Sequence, residues 1–498
     1  MLLLARPPRP WGAAALVLGC WITGCGQSET STTGAGGGAS TESTTTSAGG
    51  GGGGGDEGPP GGPPQSYGDG GETKCATSIG ELVGDIEVLG DGVHVTGVAL
   101  DPEGNAVVVA YVQGAVDFDG EQLPAGGGYD VFVGKWDPDC QPVWRLRVGG
   151  SGDQWPYSVA ADSAGNVYVG GAFLGELSFG GDPLVTGSQP PSGHLSNGAA
   201  FLAKLDPDGE LLWQKAFGLQ QNAQIDSIAV DADDGVIVAG KFEGDIDFGG
   251  EVLEGWSSGF VAKLDPDGNH LFSRAFATET NTKLVHPVSV SVGAGLSLGG
   301  TLDGTADLGG GPISSMEPSW DTFAARLDAD GNHLWSTTFP SPGFGDAGEA
   351  AIDAEGRVAV ARTFDEAEIF VDLFDPDGQL AWSKAVGSQE GFTNQNVCFD
   401  GHGDVLVAGG FDGVADFGGG ELDATNSGLG ASYIAKLTIE GDHVFSRRFG
   451  GPSAVIAVAG GPDGGAVVVG AFLVEIDLEG VKLTSHGLYN GYLARLAP

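Results

Sequence analysis

The sequence predicts an all-β fold, a seven-bladed β-propeller of four-stranded antiparallel blades, and three observations lead to this prediction. Two phrases recur along the chain about every 60 residues, and self-similarity at a steady period indicates a repeat architecture. Each phrase contains two short β-rich runs around a tight turn. No segment longer than a turn or two has helical periodicity. Four strands per unit, repeated seven times, are typical of propeller blades.

The first phrase is an apolar pair that runs into Asp-x-x-Gly and then into a β-rich segment, as in VAADSAGNVYV from Val159. The Asp can accept hydrogen bonds from backbone amides and the Gly can adopt a positive φ. The phrase therefore predicts an inner strand, a turn and a second strand. Its anchor residues in the seven units are Asp101, Asp162, Asp231, Gly293, Asp353, Asp400 and Pro462.

The second phrase, for example FLAKLDPDGELLWQKAFG from Phe201, predicts a third strand, a turn with Pro at its second position, and an outer strand. An aromatic residue recurs in the outer strand, which predicts that its ring packs neighbouring blades together. The aromatic positions are Trp144, Trp213, Trp335 and Trp382, with Phe272 and Phe445 in register.

The predicted blades span residues 93–150, 155–218, 224–276, 285–339, 347–387, 394–449 and 453–498. The seventh unit has no fourth strand of its own, and a surplus strand-like segment, residues 79–90, precedes the first unit. We predict that this segment supplies the missing outer strand, because closing the ring removes an exposed sheet edge. The fifth unit is shorter than the others and lacks their long loop.

The N-terminus predicts export and lipid attachment. Residues 1–24 have a basic start and an apolar stretch too short for a comfortable transmembrane span, as in a signal peptide. Ile22-Thr23-Gly24-Cys25 resembles the lipobox of bacterial lipoproteins, which implies lipid on Cys25; Cys20 and an ordinary secretory signal are the alternatives. Residues 25–74 are rich in Gly, Ser, Thr and Pro and predict a disordered tether before the folded part, residues 75–498.

Together, these motifs resemble the seven-bladed beta-propeller repeat (SBBP-type) family of bacterial surface lipoproteins, common in myxobacteria, over residues 83–498. The resemblance implies the propeller fold and a chain anchored by lipid to the outer membrane or cell surface. It implies no particular activity, because the family is defined by its repeat.

The formal net charge is −45 with only 21 Lys and Arg residues, so the surface repels phosphate backbones and anionic lipid. We therefore expect no nucleic-acid partner and no membrane contact except through the N-terminal lipid. Solubility explains the charge most simply, and a cation- or polycation-binding role is the alternative.

Six units carry a loop of the form Asp-Phe-Gly-Gly after the second strand, with Asp117, Asp247, Asp307, Asp416 and Asp477. A ring of carboxylates suggests cation binding, but residues on separate blades do not converge on one ion, which calcium requires. We predict instead that the Asp makes a tight turn and the Phe or Leu plugs the blade edge. His270, His333 and His443 share one repeat position and likewise lie too far apart for one zinc. No metal or cofactor is expected.

No catalytic motif such as HExxH, G-x-S-x-G or a P-loop is present, so we predict a protein that is not an enzyme. The Trp phrase is similar to the repeat of quinoprotein dehydrogenases, but their adjacent Cys pair is missing. Cys75 and Cys140 should lie on one face of the ring; either they form a disulfide or both remain thiols. Cys398 is expected to be a free, buried thiol.

The function predicted is that of a monomeric binding or scaffolding module for an unknown protein or glycan, acting through the channel mouth and loop faces. The longest loops, Gly180–Ala200 and Leu308–Asp321, are where such binding is expected. The alternatives are a propeller enzyme (quinoprotein-like, lyase or hydrolase) and an adhesin or structural spacer. Convergence of Arg, His and Asp from several blades at the channel mouth would favour the enzyme.

Overall fold

The computed structural model describes residues 82–91, 93–114, 116–118, 121–123, 128–186, 198–219, 222–278, 284–316, 320–340, 348–364, 368–387, 390–425, 430–478, 481–484 and 490–498. The predicted signal peptide, the linker, Cys25 and Cys75 lie outside these ranges. The described residues form 38 strands. None of them belongs to a helix of the length and hydropathy needed to cross a membrane.

The strands of the first three blades follow the predicted order. The chain begins with β1 (Leu82–Asp91). Blade one comprises β2 (Val93–Leu100), β3 (Ala106–Gln113), the ribbon β4 (Val116–Phe118) and β5 (Glu121–Leu123), β6 (Tyr129–Trp136) and β7 (Pro142–Val148). Blade two comprises β8 (Gln154–Ala161), β9 (Val167–Phe173), the ribbon β10 (Glu176–Leu177) and β11 (Leu184–Val185), β12 (Ala199–Leu205) and β13 (Leu211–Phe217). Blade three comprises β14 (Ala223–Val230), β15 (Val236–Ile246), β16 (Leu253–Leu264) and β17 (His270–Phe276).

The remaining blades repeat this pattern. Blade four comprises β18 (Leu284–Gly293), β19 (Gly295–Asp303), the ribbon β20 (Thr305–Asp307) and β21 (Pro312–Ser314), β22 (Asp321–Leu327) and β23 (His333–Phe339). Blade five comprises β24 (Glu349–Ile352), β25 (Val358–Phe364), β26 (Glu368–Phe374) and β27 (Leu380–Gly387). Blade six comprises β28 (Glu390–Phe399), β29 (Val405–Asp412), the ribbon β30 (Val414–Asp416) and β31 (Glu421–Asp423), β32 (Ala431–Leu437) and β33 (His443–Phe449). Blade seven comprises β34 (Ser453–Gly460), β35 (Ala466–Phe472), the ribbon β36 (Glu475–Leu478) and β37 (Val481–Thr484), and β38 (Asn490–Leu496).

The ring closes as the sequence predicts. Seven antiparallel four-stranded sheets are present, and the sheet of blade seven has the order β1-β38-β35-β34, with Leu82 opposite Leu496. The first strands of successive blades contact one another in turn, and the last of them contacts β2. The predicted all-β, seven-bladed propeller closed by its N-terminal strand is therefore confirmed.

The core lies between the blades. Second and third strands are mostly buried, and some are buried along their whole length, as in VYVGGAF of β9 and AAFLAKL of β12. The apolar clusters join neighbouring blades: one of them contains Val107 and Val109 of blade one together with Val167 and Phe201 of blade two. The repeated phrases thus encode both faces of one interface, copied around the ring.

Outer-strand tryptophans dock their own blade onto the next. Trp144 Nε1 donates to the carbonyl of Pro207 at 2.8 Å, and Trp213 Nε1 donates to the carbonyl of Pro266 at 3.0 Å. The turn glycine beside each proline lies against the indole: a Cβ on Gly209, whose φ is +89°, would be 3.0 Å from Trp144. The structure therefore agrees with the packing role predicted for these rings.

Trp213→Phe should lower the free energy of unfolding by about 1 kcal/mol, because it keeps the ring and removes one hydrogen bond to Pro266. Urea denaturation measures the change. Trp256→Phe is the matched control, since Trp256 is 57% exposed in β16 of the next blade, and it should alter stability little. Equal effects of the two substitutions would contradict this docking role.

A buried ion pair holds the first turn of four blades. The anchor Asp accepts amide hydrogen bonds from its own turn, as Asp162 does from Asn166, while its second oxygen faces a third-strand lysine. The four pairs are Lys135–Asp101 at 2.8 Å, Lys204–Asp162 at 3.0 Å, Lys263–Asp231 at 2.5 Å and Lys436–Asp400 at 2.5 Å. Blade five departs again: Leu373 replaces the lysine and Arg357 pairs with Asp353 instead.

The innermost strands are joined by serine hydroxyls. The backbone N–H groups of Ile228, Val290 and Ala350 donate to Oγ of Ser158, Ser227 and Ser289 in the preceding blade, each at 3.0 Å. Between blades five and six the same place is taken by Glu349, whose Oε2 accepts from Val397 N at 3.4 Å. One position of this inter-blade contact thus carries a carboxyl group in place of a hydroxyl.

Candidate functional site

The Asp-Phe-Gly-Gly loops are turns. Oδ1 of Asp247, Asp307 and Asp416 accepts the backbone N–H two residues later, each at 2.7 Å. The side chain of Asp117 lies outside the described residues, and the backbone of Asp477 pairs with Gly450. The described residues contain no group of three or more His, Cys, Asp or Glu side chains arranged to hold a metal ion.

The three repeated histidines each cover the loop of their own blade. Nε2 of His270 lies 3.0 Å from Ser273 Oγ, and its ring fills the space above Gly250, where a Cβ would be 2.2 Å from the imidazole. His333 and His443 repeat this arrangement with Ser336 and Ser446. The three imidazoles therefore serve three separate loops, as their spacing predicts.

The loop aromatic plugs a gap between two blades. In blade three, the ring of Phe248 lies 4.7 Å from Phe217 at the end of the preceding outer strand and 5.0 Å from Phe260 in its own third strand. In blade six, Phe417 lies 4.8 Å from Tyr433, the equivalent of Phe260. The loop aromatic, which we call the plug, therefore packs over the aromatic rings of the outer and third strands.

Blade five has no plug, and an arginine takes its place. Its second and third strands are joined by residues 365–367, and Phe364 pairs directly with Glu368. The guanidinium of Arg362 lies 4.8 Å from the ring of Phe339 and 4.4 Å from that of Phe370. These two rings are the register equivalents of Phe217 and Phe260.

The backbone explains why arginine is accommodated only there. In five blades the position opposite the third-strand aromatic is glycine, and at Gly240 a Cβ would be 2.1 Å from the carbonyl oxygen of Gln224 in the first strand. In blade five the ladder of first and second strands ends at Glu349–Ala361, one residue before Arg362. Its side chain therefore has room. The equivalent positions are Gly171, Gly240, Gly300, Gly409 and Gly470, with Ala110 in blade one.

The result is a cleft of about 310 Å³, the blade-five cleft. Arg362 Nε donates to Asp372 Oδ2 at 2.6 Å, while its two terminal nitrogens have no hydrogen-bond partner among the described residues. Phe364 is 37% exposed and Glu368 is exposed at the rim. The cleft thus combines a fixed hydrogen-bond donor, an acceptor and an open aromatic ring, which is a binding arrangement. Its lining is Thr338, Phe339, Pro340, Arg362, Phe364, Glu368 and Phe370.

A second non-repeated polar group lies on the innermost strands of blades three and four. His286 Nε2 is 3.0 Å from Asp226 Oδ2, and Gln224 Nε2 donates to Asp226 Oδ1 at 2.5 Å. Asp226 is the bulged residue of β14, and bulges re-aim side chains. Burial lowers the pKa of His286. The cluster joins His and Asp from two blades.

The structure describes the predicted binding loops only in part. In the Leu308–Asp321 loop, Leu308 and Asp321 are buried, and Asp321 Oδ2 accepts from Met316 N at 2.7 Å. Residues 187–197 of the Gly180–Ala200 loop are outside the described ranges.

Cys398 is half-buried, and burial raises the pKa of its thiol to about 12, which suits an inert thiol. Cys140 is buried; because Cys75 is not described, their disulfide stays a prediction.

Arg362 is not among the site residues predicted from the sequence, although the sequence contains a signal for it. VARTF in blade five stands where blade two reads VGGAF, so arginine replaces a repeated glycine in the one unit without the long loop. Comparing copies position by position would have found it.

Comparison with known proteins agrees with the repeat. Residues 143–172 match the family model SBBP, described as a beta-propeller repeat. An uncharacterised WD repeat-containing protein of Acanthamoeba polyphaga mimivirus is 28% identical over 163 residues, 29% of this chain and 11% of that protein. The chain therefore spans about a tenth of the length of this curated relative.

Several solved structures are similar over most of the chain at low identity. The structure of U3-55K is 10% identical with a TM-score of 0.45, covering 83% of this chain and 98% of that one. The RRP9 WD40 repeats are 9% identical with a TM-score of 0.45, covering 84% and 100%. A catalytically inactive virginiamycin B lyase from Staphylococcus aureus with quinupristin is 9% identical with a TM-score of 0.42, covering 82% and 98%.

Proposed function

We propose that this seven-bladed β-propeller, one repeat of which matches the SBBP model, is a lipid-anchored extracytoplasmic binding module for a protein or glycan partner. The observation that carries the proposal is the blade-five cleft. In the five other blades whose loop side chains the structure describes, an apolar loop residue packs against the equivalent rings. Blade five instead leaves these rings beside Arg362, whose terminal nitrogens have no hydrogen-bond partner among the described residues. Binding surfaces concentrate where a repeated scaffold departs from its own pattern.

The N-terminal sequence supports the location. A signal peptide at residues 1–24, the lipobox at Cys25 and the tether at residues 25–74 together favour a folded body held away from a membrane surface. The strongly acidic composition suits solubility in that setting and disfavours nucleic acid as a partner.

Cys25→Ser should release the protein from the membrane fraction, because Cys25 is the proposed lipid acceptor. Cell fractionation after expression in a bacterium with lipoprotein processing measures this, and metabolic labelling with a fatty acid reports the modification directly. Cys20→Ser is the matched control and should remain membrane-bound and labelled. Loss of label only in Cys20→Ser would instead assign the lipid to Cys20.

The enzyme alternative has one observation in its favour, the buried pair of Asp226 and His286. Such a pair can orient an imidazole for proton transfer when a substrate reaches its other nitrogen. The proposal gives it a structural role, because both side chains are buried and Asp226 already accepts from Gln224 and His286. An adhesin or spacer role remains the second alternative and predicts no use of either site.

Capture from cell-envelope extracts, together with a glycan array, tests the proposal on the full-length protein. The wild type should retain a saturable partner that Phe364→Ala releases. Trp256→Ala, which removes an even more exposed aromatic side chain in blade three, should retain it. A partner held equally well by all three proteins would remove the cleft from the proposal, and turnover of any substrate would favour the enzyme.

A further inference from the structure

We infer that the blade-five cleft binds a neutral sugar residue of a glycan; this inference rests on the proposed function and narrows its partner. Three features of the cleft favour such a ligand: its hydrogen-bonding groups, its open aromatic ring and the charge of the protein around it.

The hydrogen-bonding groups suit hydroxyls. The terminal nitrogens of Arg362 can only donate, and the carboxylate of Glu368 can only accept. A hydroxyl group does both, so neighbouring hydroxyls on a sugar ring can accept from Arg362 and donate to Glu368. Arg362 is already held in place by its bond to Asp372 and by the two rings beside it, so binding orders few additional groups.

The open aromatic ring suits an apolar sugar face. The guanidinium already lies over the rings of Phe339 and Phe370. Phe364 stands edge-on to Phe370 at 6.3 Å and remains 37% exposed. The C–H face of a pyranose can pack on this ring while its hydroxyls turn toward the polar groups, since aromatic side chains contribute large contact areas.

The charge of the protein disfavours anionic ligands, and the charge of Arg362 disfavours cationic ones. A net charge of −45 repels uronic-acid or sialic-acid polymers as they approach. A lysine or arginine side chain from a peptide would meet the positive Arg362, whose guanidinium already occupies the two inner rings. A neutral sugar meets neither obstacle. The volume of about 310 Å³ is at the lower end of ligand pockets, which suits one or two sugar units.

Full-length protein should be tested on an array of neutral gluco-, galacto- and manno-oligosaccharides, acidic oligosaccharides and basic peptides. At least one neutral oligosaccharide should bind, and its affinity should change little when NaCl is raised. Phe364→Ala and Glu368→Gln should each weaken binding at least about tenfold, the equivalent of losing about 1.4 kcal/mol. Trp256→Ala and Glu421→Gln, matched exposed residues on other blades, should bind as the wild type does.

The outcomes separate this inference from the proposed function. If only a peptide or an acidic oligosaccharide binds, and Phe364→Ala abolishes that binding, the cleft is a binding site and the sugar inference is wrong. If a neutral oligosaccharide binds equally to Phe364→Ala and Glu368→Gln, the inference is also wrong. If neither the array nor envelope extracts yield any saturable ligand, the proposed function fails as well.

Discussion

Lys204→Ala is expected to lower the free energy of unfolding by about 3–5 kcal/mol, because it leaves a buried carboxylate without its counter-ion. The side chains of Lys204 and Asp162 are 7% and 2% exposed and lie 3.0 Å apart. Burial alone would raise the pKa of Asp162, but Asn166 and Lys204 hold that pKa below its usual value. The pair therefore stabilises the fold above the unfolded-state pKa of Asp162, and this contribution is lost as the pH falls through the lowered folded-state pKa.

Lys482→Ala is the matched control. Lys482 and Glu475 form an ion pair at 2.6 Å whose side chains are 59% and 46% exposed. Exposed pairs contribute little to stability, so this variant should unfold close to the wild type in urea. Similar losses in the two variants would show that burial does not set the strength of the repeated Lys–Asp pair.

Glu349→Gln is expected to stabilise the protein at pH 8 and to have little effect near pH 4. Burial raises the pKa of Glu349 to about 7, so the folded state holds a proton that the unfolded state has released. Between the unfolded and folded pKa values, stability therefore falls as the pH rises. The cost above pH 7 is about 3 kcal/mol at most, and glutamine keeps an oxygen that can accept from Val397 N.

Urea denaturation of wild type and variant across pH 4–8 measures this difference. Glu368→Gln removes one equally negative but exposed group, and it controls for the general effect of reducing a charge of −45. Parallel stability curves for wild type and Glu349→Gln would show that the carboxyl group titrates normally in the folded protein.

Most of the architecture could be predicted because short motifs within each unit specify the strands and turns of its blade. The Asp-x-x-Gly turn of Asp162, the DPDG turn after Leu205 and the outer-strand Trp213 each report on their own unit, and repetition confirms the interpretation. The shorter fifth unit was also evident from the spacing of its anchors. Ring closure followed from counting strands at the two ends of the repeat.

The candidate site could not be predicted in the same way, because it depends on contacts between units. Among the described residues, the first strand of blade five pairs with the second no further than Glu349, which leaves room for Arg362. Arg362 also stacks on Phe339 of the preceding blade. Asp226 and His286 lie 60 residues apart and meet across two inner strands. The sequence of a single unit does not indicate which non-repeated residues of different units will be in contact.

Hydrogen–deuterium exchange on the full-length protein, with and without its captured partner, tests most directly whether the blade-five cleft is the binding site. Protection should be concentrated in β25, β26 and the end of β23, which carry Arg362, Phe364, Glu368 and Phe339. Protection confined to the inner strands around Asp226 and His286, or to the Asp-x-x-Gly and DPDG turns, with blade five unchanged, would contradict the assignment of the binding site to blade five.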